Sequence, residues 1–313
     1  MPKMHLRSIS LDSSRGRKVF VKGTKKWLRV TRGREYWMSK HSTFKDKNSP
    51  DSLLFQALLS EGNTEKALEL SEKILQESRN LEERDFEAEA WIRMERALLG
   101  AIEPANVGNE LRWCVDRFAS IKPGSPLHGL ALLNLASWHR NSNERMMALV
   151  TLADISSDAG HPVDLIGLSR LESGRILSSI GDLEPAMRHL WMAMRRLSSS
   201  EMRTEAVVCA MEWLDIALDE VDPDSPTMDE RILDAKPREK PGMTTIPSNP
   251  NDVKESVELI LSNALKDVSG DNRDDLGLVL DASETIEEPK WREAIEERRS
   301  EIQDPRLIEV LQS

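Results

Sequence analysis

An all-α fold is the expectation here, and three observations lead to it. Ala, Leu, Glu, Arg and Met are plentiful in the 313 residues, while aromatics make up only 4%, with eight Trp, five Phe and a single Tyr. That balance favours helix over sheet. Between Asp51 and Val221 apolar residues recur at three- and four-residue intervals in blocks of about four turns. Short Gly, Asn, Asp or Pro breaks separate the blocks, as antiparallel helix pairs require. The helices this pattern predicts are 51–60, 64–78, 82–99, 105–119, 126–140, 144–158, 162–180, 183–197 and 201–220.

The helices read as hairpins, clearest in "SGRILSSIGDLEPAMRHLWMAM". There Gly174, Leu177, Gly181, Ala186, Leu190 and Ala193 alternate as small, large, turn, small, large and small. Gly174 and Ala186 let two helices approach, and Leu177 and Leu190 fill the space beside them. In "GDLEPA", Asp182 stands where an N-cap is needed and Pro185 in the tolerant first turn. The same template places Leu58, Gly62 and Ala67 in one earlier hairpin. It places Trp91, Met94, Leu98, Val107, Leu111 and Cys114 in the next, and Leu132, Leu135, Ala136, Ala148, Leu152 and Ile155 in the one after. The equivalent second-helix positions are 67, 107, 148 and 186.

This pattern resembles the tetratricopeptide repeat, with spacings of 40, 41 and 38 residues against the usual ~34. Arg170, Ser173 and Ser71 depart from it, standing where the family has large apolar residues, and Asn143 stands where the family has its turn Gly. The resemblance implies a right-handed α-solenoid over 51–221. Ala206, Cys209, Ala210 and Trp213 in 201–220 would close it as a capping helix over the last apolar face. It also implies a concave face built from first helices, carrying Gln56, Arg96, Arg140, Asn141 and Arg175 beside Ile92, Leu133 and Leu171. Such arginines suit an acidic peptide or a chain-terminal carboxylate, because guanidinium forks bind carboxylates bidentately. The bland alternative is that they pair with Glu on a neighbouring helix.

The charge is split unevenly. Residues 1–50 hold fourteen Lys or Arg against Asp12, Glu35 and Asp46, a formal +11, so the remainder of a chain of net −11 carries −22. A basic arm on an acidic body points to a polyanionic or acidic target. Within the arm, "KVFV" and "KWLRV" around Gly23 predict a short β-hairpin. Arg15, Arg17, Lys25, Lys26, Arg32 and Arg34 could grip phosphates while Trp27 and Trp37 stack on unpaired bases. Arg-Gly-Arg at 15–17 and 32–34 is similar to the core of AT-hook segments, without their flanking prolines. Binding to RNA or DNA therefore competes with docking of the arm on the protein's own acidic body, or on an acidic partner.

Six of the fifteen prolines fall between Asp222 and Pro250, which reads as a linker with one helical turn around "MDERILDA". Residues 251–313 read as an acidic helical segment, with a helix from Asn251 or Asp252 and another interrupted near Pro289.

Motifs for chemistry are missing. Gly16 and Gly23 do not make a phosphate loop, and no GxGxxG follows a strand. "DPDSPTMDE" and "DNRDD" fail the spacing of a calcium loop. His128 and His139 stand eleven residues apart, about 16 Å along a helix, too far to share a metal. Cys114 and Cys209 lie in amphipathic helices and read as small buried apolar residues. The expectation is a non-enzymatic protein-binding scaffold with no cofactor, metal or small-molecule substrate. With no apolar leader and no run of ~20 apolar residues, no membrane partner is expected and the cytoplasm is the default location.

Overall fold

The computed structural model describes residues 50–80, 84–234, 247–269 and 274–312. Among them the fold is all-helical, with an isolated parallel bridge between Val221 and Ser248 and no strand. The arm, its expected hairpin and its candidate residues Arg15, Arg17, Lys25, Lys26, Trp27, Arg32, Arg34 and Trp37 lie outside the described residues. The chain divides into two compact units between Ser169 and Arg170.

The first unit contains α1 (Pro50–Ser60), α2 (Thr64–Asn80), α3 (Phe86–Leu98), α4 (Val107–Ile121), α5 (Pro126–Asn141), α6 (Arg145–Ala153) and the start of α7 (Val163–Ser179). From α1 to α6, each helix packs on the next in sequence order. Asp85 caps α3 by accepting from the N–H groups of Glu87 and Ala88, and Ser125 caps α5 by accepting from that of His128. These side chains satisfy donors that a helix start leaves open. Phe55, Trp91, Ile92, Met94, Leu111 and Phe118 form the middle of the core, where Phe55 and Trp91 meet edge to face at 5.5 Å. Ile92 is fully buried, which corrects its expected place on an open face; Leu133 is half-buried.

The turns share one construction. Gly62 has φ +73°, Asn143 +64° and Gly181 +81°. In each case the N–H of that residue bonds the carbonyl three back, and the next N–H bonds the carbonyl five back: Asn63 to Leu58, Glu144 to His139 and Asp182 to Leu177. This is the Schellman closure of a helix. The residue that completes it also starts the next helix, since the carbonyls of Asn63, Glu144 and Asp182 accept from Ala67, Ala148 and Ala186. All three alanines are fully buried. Asn143 fits the Gly position because Asn tolerates the left-handed region better than other residues with a Cβ.

Helix α6 ends at Ala153 instead of running on to 158. The chain folds back there: Ile155 is buried, and the His161 N–H closes a loop onto the Ser156 carbonyl.

The second unit holds the rest of α7, α8 (Leu183–Ser198), α9 (Arg203–Ala217), α10 (Met228–Leu233), α11 (Pro250–Ala264), α12 (Asp274–Thr285), α13 (Lys290–Glu296) and α14 (Pro305–Val310). Gly174 sits in the α7–α8 contact, where an added Cβ would stand 2.8 Å from Leu190 Cγ and 3.2 Å from the Ala186 carbonyl oxygen. Leu171, expected on an open face, is buried here. Helix α9 packs on α8 and on α11, so the helix expected to cap the array is itself covered. Val253, Val257, Ile260 and Ala264, on one face of α11, are all fully buried. The ends of the proline-rich stretch are tied together, with Asp222 N–H bonded to the Ser248 carbonyl and Ser248 N–H to that of Glu220.

Asp252 is buried at the start of α11, where its Oδ2 accepts from the Met228 N–H at 2.7 Å. Burial, reinforced by Asp229 and Glu255 and opposed by the Met228 N–H and Arg195, pushes its carboxyl up to about 6 from an ordinary 3.8. A raised acid contributes stability that is fully present below pH 3.8 and lost as pH rises through 6. Asp252→Asn keeps an acceptor for Met228 and removes the charge. It is expected to stabilise the protein by about 1–3 kcal/mol at neutral pH and by little at pH 4. Melting curves of both proteins from pH 4 to 7.5 check this, and a Tm difference that stays constant across the range counts against it.

Candidate protein-binding surface

The candidate groove residues separate into two groups. Gln56, Arg96, Arg140 and Asn141 lie in the first unit and Arg175 in the second. Gln56 is half-buried on α1, Arg140 is half-buried in the last turn of α5, and Asn141 is exposed beside it. Arg96 is held against α2, where its guanidinium donates to Ser71 Oγ at 2.9 Å and pairs with Glu72 at 2.8 Å. Ser71 is fully buried and fills a position where the repeat pattern has a large apolar residue. The small hydroxyl leaves room for the guanidinium and gives it an acceptor.

Arg175 is more deeply committed. Its Nε reaches both oxygens of Glu212 at 3.0 Å, one terminal nitrogen donates to Glu212 Oε1 at 2.8 Å, and the other donates to Glu172 Oε1 at 2.7 Å. Burial works against its charge, but the two carboxylates outweigh burial and hold its pKa above the usual value. Arg96 and Arg175 therefore both pair with Glu, as in the alternative weighed against the groove.

A surface that the spacing argument missed lies across α3 and α4. Arg84 stands over the Phe86 ring at 5.2 Å, and Arg117 over the same ring at 5.0 Å and over Trp113 at 5.0 Å. Arg93 lies on Trp113 at 3.6 Å. The result is a row of three guanidiniums alternating with two rings. The outer two are neutralised, Arg84 by Glu89 and Arg93 by Glu110. Glu89 is fully buried; burial raises its pKa, but hydrogen bonds from Arg79 and Arg84 bring it below the ordinary value. Arg117 forms no ion pair with a described residue and is half-buried between its rings. A guanidinium held by ring contacts alone keeps its N–H donors available to a ligand. Trp113 and Arg117, four apart on one helix, were the sequence signal for the row.

Nearby in chain order, α6 exposes Met146, Met147 and Val150 by 66%, 48% and 59%. His128 pairs with His161 on the following loop, with the rings 5.1 Å apart. Gly124 N–H donates to His128 Nδ1 and Ser156 N–H to His161 Nδ1, so His161 Nε2 is the donor to His128 Nδ1 at 3.2 Å. This network needs both imidazoles neutral, and burial lowers the pKa of each. Cys114 and Cys209 are buried free thiols, Cys114 being pushed up to about 12 by burial. Among the described residues, no three His, Cys, Asp or Glu side chains are grouped to hold a metal ion. No described helix is long and apolar enough to cross a membrane. Compared with the models of known protein families and with curated protein sequences, the chain matches none.

Proposed function

We propose that the chain is a non-enzymatic interaction scaffold of tetratricopeptide-like hairpins that binds an acidic segment of another protein. The observation that carries this reading is Arg117, a guanidinium 5.0 Å from the centroids of both the Phe86 and Trp113 rings with no carboxylate partner among the described residues. Contact with two rings restrains the side chain and lowers the conformational entropy that Arg loses on binding, so a carboxylate can be gripped by a fork already in place. The sequence-order packing of α1 to α6 favours the same role, because such stacks leave an extended surface on the helices. Gln56, Arg140 and Asn141 are further candidates for that partner.

Fluorescence anisotropy with short Asp- and Glu-rich peptides tests the reading on the full chain. Arg117→Lys keeps the charge and loses the planar fork, and is expected to weaken binding by about tenfold with an unchanged Tm. Equal affinity in the variant, or no binding by any peptide at about 1 mM, sinks the proposal. The second reading is a nucleic-acid-associated factor, favoured by the fourteen basic residues among the first fifty. Under that reading single-stranded RNA binds with a log–log salt slope of about −0.7 per phosphate contacted. Deleting residues 1–48 then abolishes the binding, and Trp27→Ala or Trp37→Ala weakens it with the slope kept.

A further inference from the structure

Helices α7 and α8 form an antiparallel hairpin closed at Gly181, and they touch where Gly174 meets Leu190. Moving one turn back along α7 from Gly174 leads to Arg170. The facing move along α8 goes one turn forward from Leu190, towards Ala193 and Met194. Arg170 thus falls between His189 and Arg196, which are seven residues apart on one face of α8, about 10.5 Å along its axis. Ala193, fully buried between them, adds no bulk.

Charge separates this group from its surroundings. The described stretch from Val163 to Ser198 holds five arginines, and three of them have carboxylates: Arg175 with Glu172 and Glu212, Arg188 with Glu184, Arg195 with Asp229 and Glu255. Arg170 and Arg196 form no ion pair with a described residue, and both are half-buried. Burial first, and Arg196 second, lower the pKa of Arg170. His189 Nδ1 is closed off from water and has no hydrogen-bond partner among the described residues. Burial, followed by Arg170, pushes this imidazole down to about 4. Two half-buried guanidiniums near one another cost stability unless a counter-charge arrives. Arg170 also occupies a position where the repeat pattern calls for a large apolar side chain, so the sequence gives up packing to place a charge there.

We propose that Arg170, Arg196 and His189 form a binding site for an oxyanion, the carboxylate or phosphoryl group of a peptide ligand. The two guanidinium forks donate to the oxygens, and the anion relieves their mutual repulsion. His189 lies close enough to Arg170 to feel its charge, and so reports the arrival of the anion. Because both arginines keep part of their surface in water, the anion can reach them without opening the hairpin. Arg117 has no part in this site.

The experiment follows the His189 ring by NMR in the full chain, assigned with His189→Asn. Three probes are titrated: a neutral peptide carrying one Glu, the same peptide with phosphoserine at that position, and inorganic phosphate. The expected result is a saturable shift of the His189 resonance and a rise of its pKa by at least about one unit, since an adjacent anion favours imidazolium. Arg170→Met with Arg196→Met abolishes the shift and raises the Tm, because an unpaired charge pair has been replaced by apolar packing. The glutamine pair replaces the methionine pair if that variant fails to fold. A response to the Glu or phosphoserine peptide alone identifies the source of the oxyanion, and a response to phosphate itself identifies a small-anion site. Absence of a saturable shift with all three probes overturns the proposal, as does a shift that survives in the double variant. Arg117→Lys leaves the His189 titration unchanged, which keeps this outcome separate from that of the peptide-binding test.

Discussion

Replacing Arg175 with methionine is expected to destabilise the second unit by about 3–5 kcal/mol, the usual cost of removing one partner from a buried ion group. The side chain is shared between Glu172 on its own helix and Glu212 on α9, with four hydrogen bonds between 2.7 and 3.0 Å. Without it two carboxylates face each other across a helix contact with no cation between them. Denaturant unfolding of the full chain gives the magnitude. Adding Glu212→Gln to the methionine variant should restore a large part of the loss, because it removes one of the stranded charges. A loss below about 1 kcal/mol would show that water takes over from the arginine and that the triad behaves as an exposed one.

The second large effect is expected at Gly124, between α4 and α5. Its φ of +72° lies in the left-handed region, and a Cβ added there would stand 1.9 Å from the Ala159 carbonyl oxygen. Gly124→Ala therefore meets two costs, about 1–2 kcal/mol for a left-handed L-residue and about 1–3 kcal/mol for overpacking against backbone. Gly160→Ala is the control. It has φ +88° but its nearest neighbour is Gly124 Cα at 4.0 Å, so it carries only the backbone cost. The Tm drop for Gly124→Ala should be at least twice that for Gly160→Ala. Equal drops would mean that the loop moves aside without resistance.

The helices were largely legible in the sequence because their cause is local. Apolar periodicity locates all nine helices predicted up to residue 220, and most ends fall within a few residues. What was illegible depends on groups that meet through space. Nothing near Arg96 announces Glu72, and nothing near Arg175 announces Glu212, since each acid belongs to another helix. His161 lies 33 residues from His128, so a search along one helix finds His139 instead. Three departures from the repeat pattern turn out to have physical roles: Asn143 adopts the turn conformation of glycine, Ser71 holds Arg96, and Arg170 lies close enough to Arg196 to feel its charge. Reading those residues as signals, not as noise, would have located more of the surface.

The shared turns leave the helix pairs they join no slack in phase. Because Asn63, Glu144 and Asp182 end one helix closure and begin the next helix, the buried alanine always lies five positions after the left-handed residue. One residue inserted between Glu144 and Ala148 would rotate the following helix by about 100° against its neighbour. Met147, 48% exposed, would then be driven into the slot that Ala148 fills with none of its surface exposed. Insertions are tolerable in the longer connections, such as that between Leu99 and Asn106, where the two helices do not share a residue. Length variation in relatives of this chain should therefore collect in those connections and spare the tight turns.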